Sequence, residues 1–479
     1  MSGHSDEPAD WSRERAEQTA LRICDPTKIR GHLQQATEAA PEAIREALAR
    51  AKGLAGLHAP DVAALLQVRD PALRAEILDT AGGVHEQTYG RRIRLVAPVC
   101  PTNRCVNDCE YCPLRRSNAR LRRDARSTHS LQRDIAALLD EGYRQVQLVF
   151  GDDRSGIHYV RDNVWAAYGT RSGHRQLQLV DINLNPPRAT DLQQLKTSGR
   201  LGTYSVLQET YDPGTYAALH PDGPKSDYAW RITGHDRAFQ VGIEDVGIGV
   251  LLGLGDYRFD VLATLSHSEY LKGAYGKGPN TISYPRLLPS PGAPASLDTT
   301  HAVSDDDLCF VVAVTRLADP HTHIVLSTPA PRDVRIRLYG LGVSQVIVGS
   351  SSYPGVYTGD GLSQAGGTLT IGRSRALENL VYRMCEAGFV PNLCVACYMP
   401  QRRRSAASAA SREFAQPQRC LANSLLALKE YGMDYASADT QAVIERLVQR
   451  DLGQLSEGLR NLTLELMEEA EAGLRGQIV

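Results

Sequence analysis

The sequence predicts an α/β chain built on a (β/α)8 TIM-type barrel, with an N-terminal helical segment and a C-terminal helical domain. Three observations predict it. Eight short β-branched runs recur at 93–98, 145–150, 177–184, 203–208, 246–254, 281–284, 323–327 and 343–348. Each of the first seven precedes a stretch that can hold a helix; a Gly- and Ser-rich loop and a helix at 373–388 follow the eighth. Strands that alternate with helices imply a parallel sheet. The 479 residues leave room for a barrel of about 250 residues plus extensions. Finally, three cysteines crowd just after the first run, where a barrel of this kind carries its chemistry, at the C-terminal ends of the strands.

Residues 1–20 read as disordered. From 25 to 83 the chain is rich in Ala and Leu, with apolar residues three and four apart, the period of a helix. The stretches 41–54, 60–67 and 71–80 each open near a proline, a usual first-turn residue. The barrel is expected over 84–388, after an N-terminal unit at 1–83. The tail, 389–479, holds a second cysteine group, a low-complexity loop at 401–411 with Arg402, Arg403 and Arg404, and helices at 420–431 and 440–475.

Composition narrows the classes. Hydrophobic residues make up 42% and charged residues 23%, a globular balance, and the net charge is −2. Nothing there asks for nucleic acid or a membrane surface as partner. No apolar run nears the length of about 20 residues that a span needs. The polar, acidic start carries no signal pattern, so the chain is expected in the cytoplasm. Ten cysteines in such a compartment favour metal or redox chemistry over disulfides.

The first group reads Cys105-Val-Asn-Asp-Cys109-Glu-Tyr-Cys112. Three thiolates on one loop can hold three irons of a cubane cluster, leaving the fourth iron open to a cofactor or substrate. A structural zinc site with Cys100 as fourth ligand is the alternative. Zinc favours two separated Cys pairs, which four cysteines within residues 100–112 fit poorly. In the tail, Cys394-Val-Ala-Cys397 is followed, twenty-two residues later, by Cys420. Again there are three, suited to a second cluster with an open iron, with a zinc clip or unrelated buried cysteines as alternatives.

The C-x3-C-x2-C spacing, with Tyr111 before its last cysteine, resembles the radical S-adenosylmethionine (SAM) superfamily. The resemblance implies a 4Fe–4S cluster on Cys105, Cys109 and Cys112 that binds and cleaves SAM. Gly151-Asp152 ends the second strand, where many of these proteins carry Gly-Glu against the SAM amino group. Glu209 ends the fourth strand, Arg231 can fork onto a carboxylate, and Gly247 and Gly249 let a flat group approach the fifth strand.

The chain is similar, more narrowly, to the tyrosine lyase that matures iron-only hydrogenases, the HydG type. The likeness rests on both cysteine groups and on 105–116 (CVNDCEYCPLRR), 208–231 (QETYDPGTYAALHPDGPKSDYAWR), 245–254 (DVGIGVLLGL), 281–286 (TISYPR) and 423–436 (NSLLALKEYGMDYA). The related 2-iminoacetate synthase of thiamine biosynthesis lacks the late cysteines. The resemblance implies a SAM-derived radical that breaks the Cα–Cβ bond of tyrosine, giving p-cresol and dehydroglycine. The fragment then becomes carbon monoxide and cyanide at a second cluster on Cys394, Cys397 and Cys420. It implies Arg286 for the substrate carboxylate with Ser283 beside it, an amino-acid substrate, a reducing electron donor, and an iron–sulfur acceptor protein.

Two departures stand out. Asn280 replaces a His of that family, and residues 350–357 replace a more Gly-rich loop. They motivate two alternatives: a paralogue acting on another amino acid in natural-product or nitrile/cyanide biosynthesis, and a scaffold carrying an iron–sulfur synthon without lysis. The basic run of Arg115, Arg116, Arg120, Arg122, Arg123 and Arg126 reads as a solvated or ion-paired segment, or as a contact for an anionic partner. His321 and His323 open the seventh strand, at the end expected to lie away from the chemistry.

Overall fold

A computed structural model describes residues 11–197, 201–349, 353–359, 376–398 and 409–479. Eight parallel strands close into a barrel: β1 Arg92–Thr102, β2 Gln145–Phe150, β3 Leu179–Asn183, β4 Leu201–Ser205, β5 Val246–Gly249, β6 Thr281–Ser283, β7 His323–Leu326 and β8 Val343–Ile347. Each pairs with the next, and β8 returns to β1 with Arg94 opposite Gln345 and Val96 opposite Ile347. The strands are rich in Val, Ile and Leu because they are covered on both faces.

All eight strands occur in the predicted order. The fifth is shorter than its apolar run. Beyond Gly249 only single bridges remain, Val250 to Glu209 and Leu252 to Arg286, and Gly253 turns the chain at φ +110°. A ninth strand, β9 Val390–Asn392, was not expected. It lies parallel to the first residues of β1, with Arg92 opposite Val390.

Helices Thr128–Asp140, Gly156–Gly169, Ala189–Lys196, Gly234–Gln240, Tyr257–Tyr275, Asp305–Ala318, Arg332–Leu341 and Ala376–Glu386 follow the successive strands. Before the barrel come Arg13–Ile23, Pro26–Gln35, Pro41–Ala51, Ala59–Gln67 and Pro71–Thr88. Pro26, Pro41 and Pro71 sit at helix starts, and Asp25 and Asp70 cap free N–H groups at two of them. Buried side chains of these helices, the barrel and the tail form one continuous apolar core. Among the described residues no helix is long and apolar enough to cross a membrane.

Several boundaries differ from the sequence reading. Residues 13–20 are helical, not disordered: Ser12 caps the helix, Ala16, Ala20 and Ile23 are buried, and the Trp11 indole donates to Gln240 at 2.8 Å. The helix expected to stop at 80 runs on through Gly82 and Gly83 to Thr88, because burial of Ala81, Val84 and His85 outweighs the propensity cost of two glycines. The long tail helix is two, Ala438–Leu452 and Glu457–Glu471, broken at Gly453 and restarted at Ser456. The helix Pro417–Tyr435 starts before 420, and 409–411 belongs to a short helix, Ala409–Phe414. Residues 1–10, 350–352, 373–375 and 401–408, with Arg402, Arg403 and Arg404, lie outside the described residues.

Candidate functional site

The loop that follows β1 carries the first cysteines and is clamped from several sides. Gly151, just past β2, donates to the Thr102 carbonyl at 2.9 Å, and a Cβ there would stand 2.3 Å from the Arg104 carbonyl oxygen. Only glycine lets the two segments pass. The neighbouring Asp152 accepts from Val106 N–H through its carbonyl at 2.9 Å. Its carboxylate accepts from the amides of Asn107 (2.8 Å) and Asn185 (2.9 Å), tying the ends of β1, β2 and β3 together. Asn107 also lies 3.6 Å from the Cys105 sulfur. On the far side, Asp108 and Glu110 N–H groups donate to the carbonyls of Asp222 and Leu219, both at 3.0 Å.

Cys109 is buried beside Tyr111 and Leu254, while Cys105 and Cys112 are half-buried. Burial pushes the Cys112 thiol up to about 12 and raises Cys109, which Lys225 partly offsets. A thiolate here therefore needs a bound cation to stabilise it, as the irons of a cluster would. Among the described residues no three His, Cys, Asp or Glu side chains already form a single-ion site. Cys100 lies within β1, bonded to the Thr102 carbonyl at 3.4 Å, and the acidic groups acting on it are Asp124 and Asp134. Its thiol is thus engaged within the strand, while the three loop thiols keep the soft donor set a cubane uses.

The other predicted residues gather at the same mouth. Tyr111 donates its hydroxyl to His220 Nε2 at 2.9 Å, since His220 Nδ1 must donate to the Tyr216 carbonyl. Burial, with Lys225 nearby, lowers His220 to about 3, so it stays neutral. Glu209 sits at φ +74°, a costly backbone for a residue other than glycine. Lys225 Nζ lies 2.6 Å and Arg231 Nη2 3.2 Å from its carboxylate. Burial would raise Glu209, but these two cations overcome it and the net shift is downward. Arg231 is also held by Asn185 at 2.6 Å and by the Leu207 carbonyl. A Cβ on Gly249 would meet the Ser283 carbonyl at 2.0 Å, and one on Gly247 the hydroxyls of Ser205 and Thr281 at 2.5 Å. The Ser283 side chain is half-buried, and its carbonyl accepts from Val250. Arg286 is anchored through Nη1 to Asp305 at 2.7 Å, while its buried Nε has no partner. Gln208 Nε2 is another buried, unpartnered donor at the strand ends. Two orphaned donors at one mouth fit a polar ligand between the strand ends.

The second cysteines lie at the opposite end. Cys394 follows β9, Cys397 is in the turn Ala396–Tyr398, and Cys420 opens the helix Pro417–Tyr435. The sulfurs of Cys397 and Cys420 are 3.9 Å apart, and Ala396 N–H donates to Cys394 at 3.4 Å. Burial raises Cys394 to about 11. A polar layer from the N-terminal ends of the strands separates them from the barrel interior. Arg94 donates to Tyr398 (2.7 Å) and Glu413 (3.0 Å), and His323 Nε2 lies 3.2 Å from Glu413. Asn280 donates to Thr203 (2.9 Å) and Tyr398 (2.6 Å) and accepts from Ala410 N–H (2.8 Å).

His323, expected at the end away from the chemistry, is remote from the first cysteines but stands in the wall of the second group. Arg92, Arg94, Tyr398 and Glu413 escaped sequence reading. One signal was available: Arg92-Ile-Arg94 puts charges at alternate positions of a strand buried throughout, a break in pattern that marks a site.

Against known proteins, residues 99–267 match the radical SAM superfamily and 283–390 the biotin and thiamin synthesis associated domain. The 2-iminoacetate synthase of Escherichia coli strain K12 is 30% identical over 313 residues, covering 64% of this chain and 80% of that protein. A crystal structure of HydG, a maturase of the FeFe-hydrogenase, superposes with a TM-score of 0.89 at 33% identity, over 96% of this chain and 100% of that one. The chain belongs to the radical SAM superfamily, in its HydG-type family. The HydG of Carboxydothermus hydrogenoformans is 27% identical, with a TM-score of 0.80 over 94% of this chain and 99% of that one. Membership of the radical SAM superfamily implies a 4Fe–4S cluster and SAM. Asn280, the position that the sequence marks as a departure, has its amide nitrogen and oxygen both engaged by protein.

Proposed function

We propose that this radical SAM enzyme is a carbon–carbon lyase that cleaves the Cα–Cβ bond of tyrosine to p-cresol and dehydroglycine. The observation that carries this reading is the end-to-end likeness to HydG, with one cysteine trio at each mouth of a single closed barrel. When bound, the cluster and SAM supply a carbon radical able to take a hydrogen atom from the substrate. Cys105, Cys109 and Cys112 hold that cluster. Asp152 keeps the cysteine loop in register with β2 and β3. Glu209 and Arg231 orient the polar end of SAM, and Gly247 and Gly249 clear the floor beneath it. Arg286, fixed by Asp305, offers its free Nε–H to the substrate carboxylate beside Ser283. The closed barrel keeps water from the reacting atoms.

The test is an anaerobic incubation of reconstituted, reduced protein with SAM and tyrosine. The expected products are 5′-deoxyadenosine and p-cresol. Deoxyadenosine without p-cresol, whichever amino acid is supplied, contradicts a tyrosine lyase.

Cys394, Cys397 and Cys420 hold the second, auxiliary cluster in this reading. A specific observation favours a different fate for the fragment. Asn280 has its oxygen held by Ala410 N–H and its amide hydrogens by Thr203 and Tyr398, and a neutral amide is a poorer ligand for iron than an imidazole. It therefore adds no ligand to that cluster, and the fragment leaves as dehydroglycine or its hydrolysis products instead of as carbon monoxide and cyanide. Assaying carbon monoxide and cyanide beside p-cresol separates the two fates: their formation in step with p-cresol rejects the early release.

A further inference from the structure

We propose that the face bearing Arg104, Arg120 and Arg122, edged by Leu288 and Leu297, docks an acidic one-electron carrier protein that reduces the SAM cluster. This rests on reading Cys105, Cys109 and Cys112 as that cluster's ligands. The step is a single electron transfer: the carrier is oxidised by one electron, the cluster is reduced by one, and no bond changes.

The charges of this face sort into two sets. Asp108 and Glu110 are both bound by Arg115, at 2.8 and 2.7 Å, and Asp222 is bound by Arg116. Arg123 is spent on the carbonyls of Asn103 and Leu114, and Arg126 on Asp134. Asp108, Glu110 and Asp222 are thus neutralised by arginines of the loop, while Asp124 accepts from Ala125 N–H and offsets one of the remaining charges. Arg104, Arg120 and Arg122 are exposed, and among the described residues no side-chain hydrogen bond or ion pair engages them. In a chain of net charge −2 this leaves a local positive excess.

Position gives the excess its meaning. Arg104 precedes Cys105 in sequence. The Arg122 carbonyl accepts from the Asn103 amide at 2.9 Å, so the two free arginines of the run are folded back against the start of the cysteine loop. The loop 287–297 covers the other side. Its Ala295 N–H donates to the Glu110 carbonyl at 3.0 Å, and its Pro291 carbonyl accepts from the Asn118 amide at 3.2 Å. Leu287 and Ala295 of this loop pack on Cys109 and Tyr111, while Leu288 and Leu297 turn outward, 40% and 62% exposed. The surface beside the thiols is therefore positively charged and partly apolar. Redox encounters use small surfaces, below about 1,200 Å², and are steered by complementary charge. An acidic carrier fits; a basic one is repelled.

The experiment uses the reconstituted holoprotein and a reduced plant-type 2Fe–2S ferredoxin with an acidic face. Cluster reduction is followed by rapid-freeze electron paramagnetic resonance, and the affinity of the two proteins by calorimetry at low salt. In Arg120→Glu/Arg122→Glu, both the reduction rate and the affinity should fall by about tenfold or more, and the rate should lose most of its salt dependence. Arg120→Lys/Arg122→Lys should stay near wild type, and so should Arg446→Glu, a charge reversal on an exposed tail-helix residue. Reduction by dithionite, which needs no docking, should be equal in every variant. Unchanged ferredoxin rates in the double reversal, or an equal loss in Arg446→Glu, overturns the docking face. Failure of dithionite to reduce any cluster in the wild type overturns the cluster assignment itself, and the docking face with it.

Discussion

Asn280 is fully buried and spends its whole amide on protein: Thr203 and Tyr398 receive its hydrogens, and Ala410 donates to its oxygen. It is a strut between β4, β6 and the tail. Asn280→Ala should therefore destabilise even the metal-free protein, by about 2–4 kcal/mol in a denaturant titration, because it strands buried partners. A variant as stable as wild type without metal contradicts the strut. The sequence made Asn280 conspicuous as a departure, yet could not say what it touches, since its partners lie 77 and 118 residues away in the chain. The cysteines were legible because their spacing is local. Glu413 and Arg94, 319 residues apart, were not.

At the scale of elements, the helix Tyr257–Tyr275 shows how a wall holds the mouth. Asp260, wholly buried in it, accepts from Tyr211 N–H (2.7 Å) and the Thr210 hydroxyl (2.9 Å), fixing the chain just beyond Glu209. Burial pushes its carboxyl up to about 7, against the pull of those two hydrogen bonds. The folded state thus holds this proton more tightly than the unfolded chain does, where Asp titrates at about 3.9. Its contribution to stability is fully present below about pH 4 and is lost as pH rises through about 7. Asp260→Asn keeps an acceptor and removes the titration. The wild type should lose stability relative to this variant between about pH 4 and 7, by no more than about 4 kcal/mol, and no further above that. A difference in melting temperature that ignores pH would mean that the carboxyl titrates as an exposed one. Strands and their order were legible because β-branched runs alternate with helical stretches. The ends of elements were less so: the helix expected to end at 80 is carried through Gly82 and Gly83 by packing, and β9, three residues long, has no pattern to read.

Over the whole molecule, closing the barrel between β1 and β8 separates two mouths, and each receives one cysteine trio. The loop after β1 feeds the first. The chain beyond β9 feeds the second, because β9 adds beside the start of β1 and delivers Cys394 to that end. With the polar layer of Arg94, Asn280, Tyr398 and Glu413 between them, the trios should load independently. Replacing Cys105, Cys109 and Cys112 together by Ser should remove about half of the bound iron and spare the cluster signal of the second trio. Loss of all iron would mean a single shared centre. The likeness to HydG was legible from short motifs, but that the trios face opposite ends follows only from the closure.

The lyase reading is tested most directly by the ratio of p-cresol to 5′-deoxyadenosine in a single turnover with SAM and tyrosine. Equal amounts of the two are expected, in the wild type and in Cys420→Ser alike, because cleavage belongs to the first mouth. Deoxyadenosine formed with no p-cresol would contradict it.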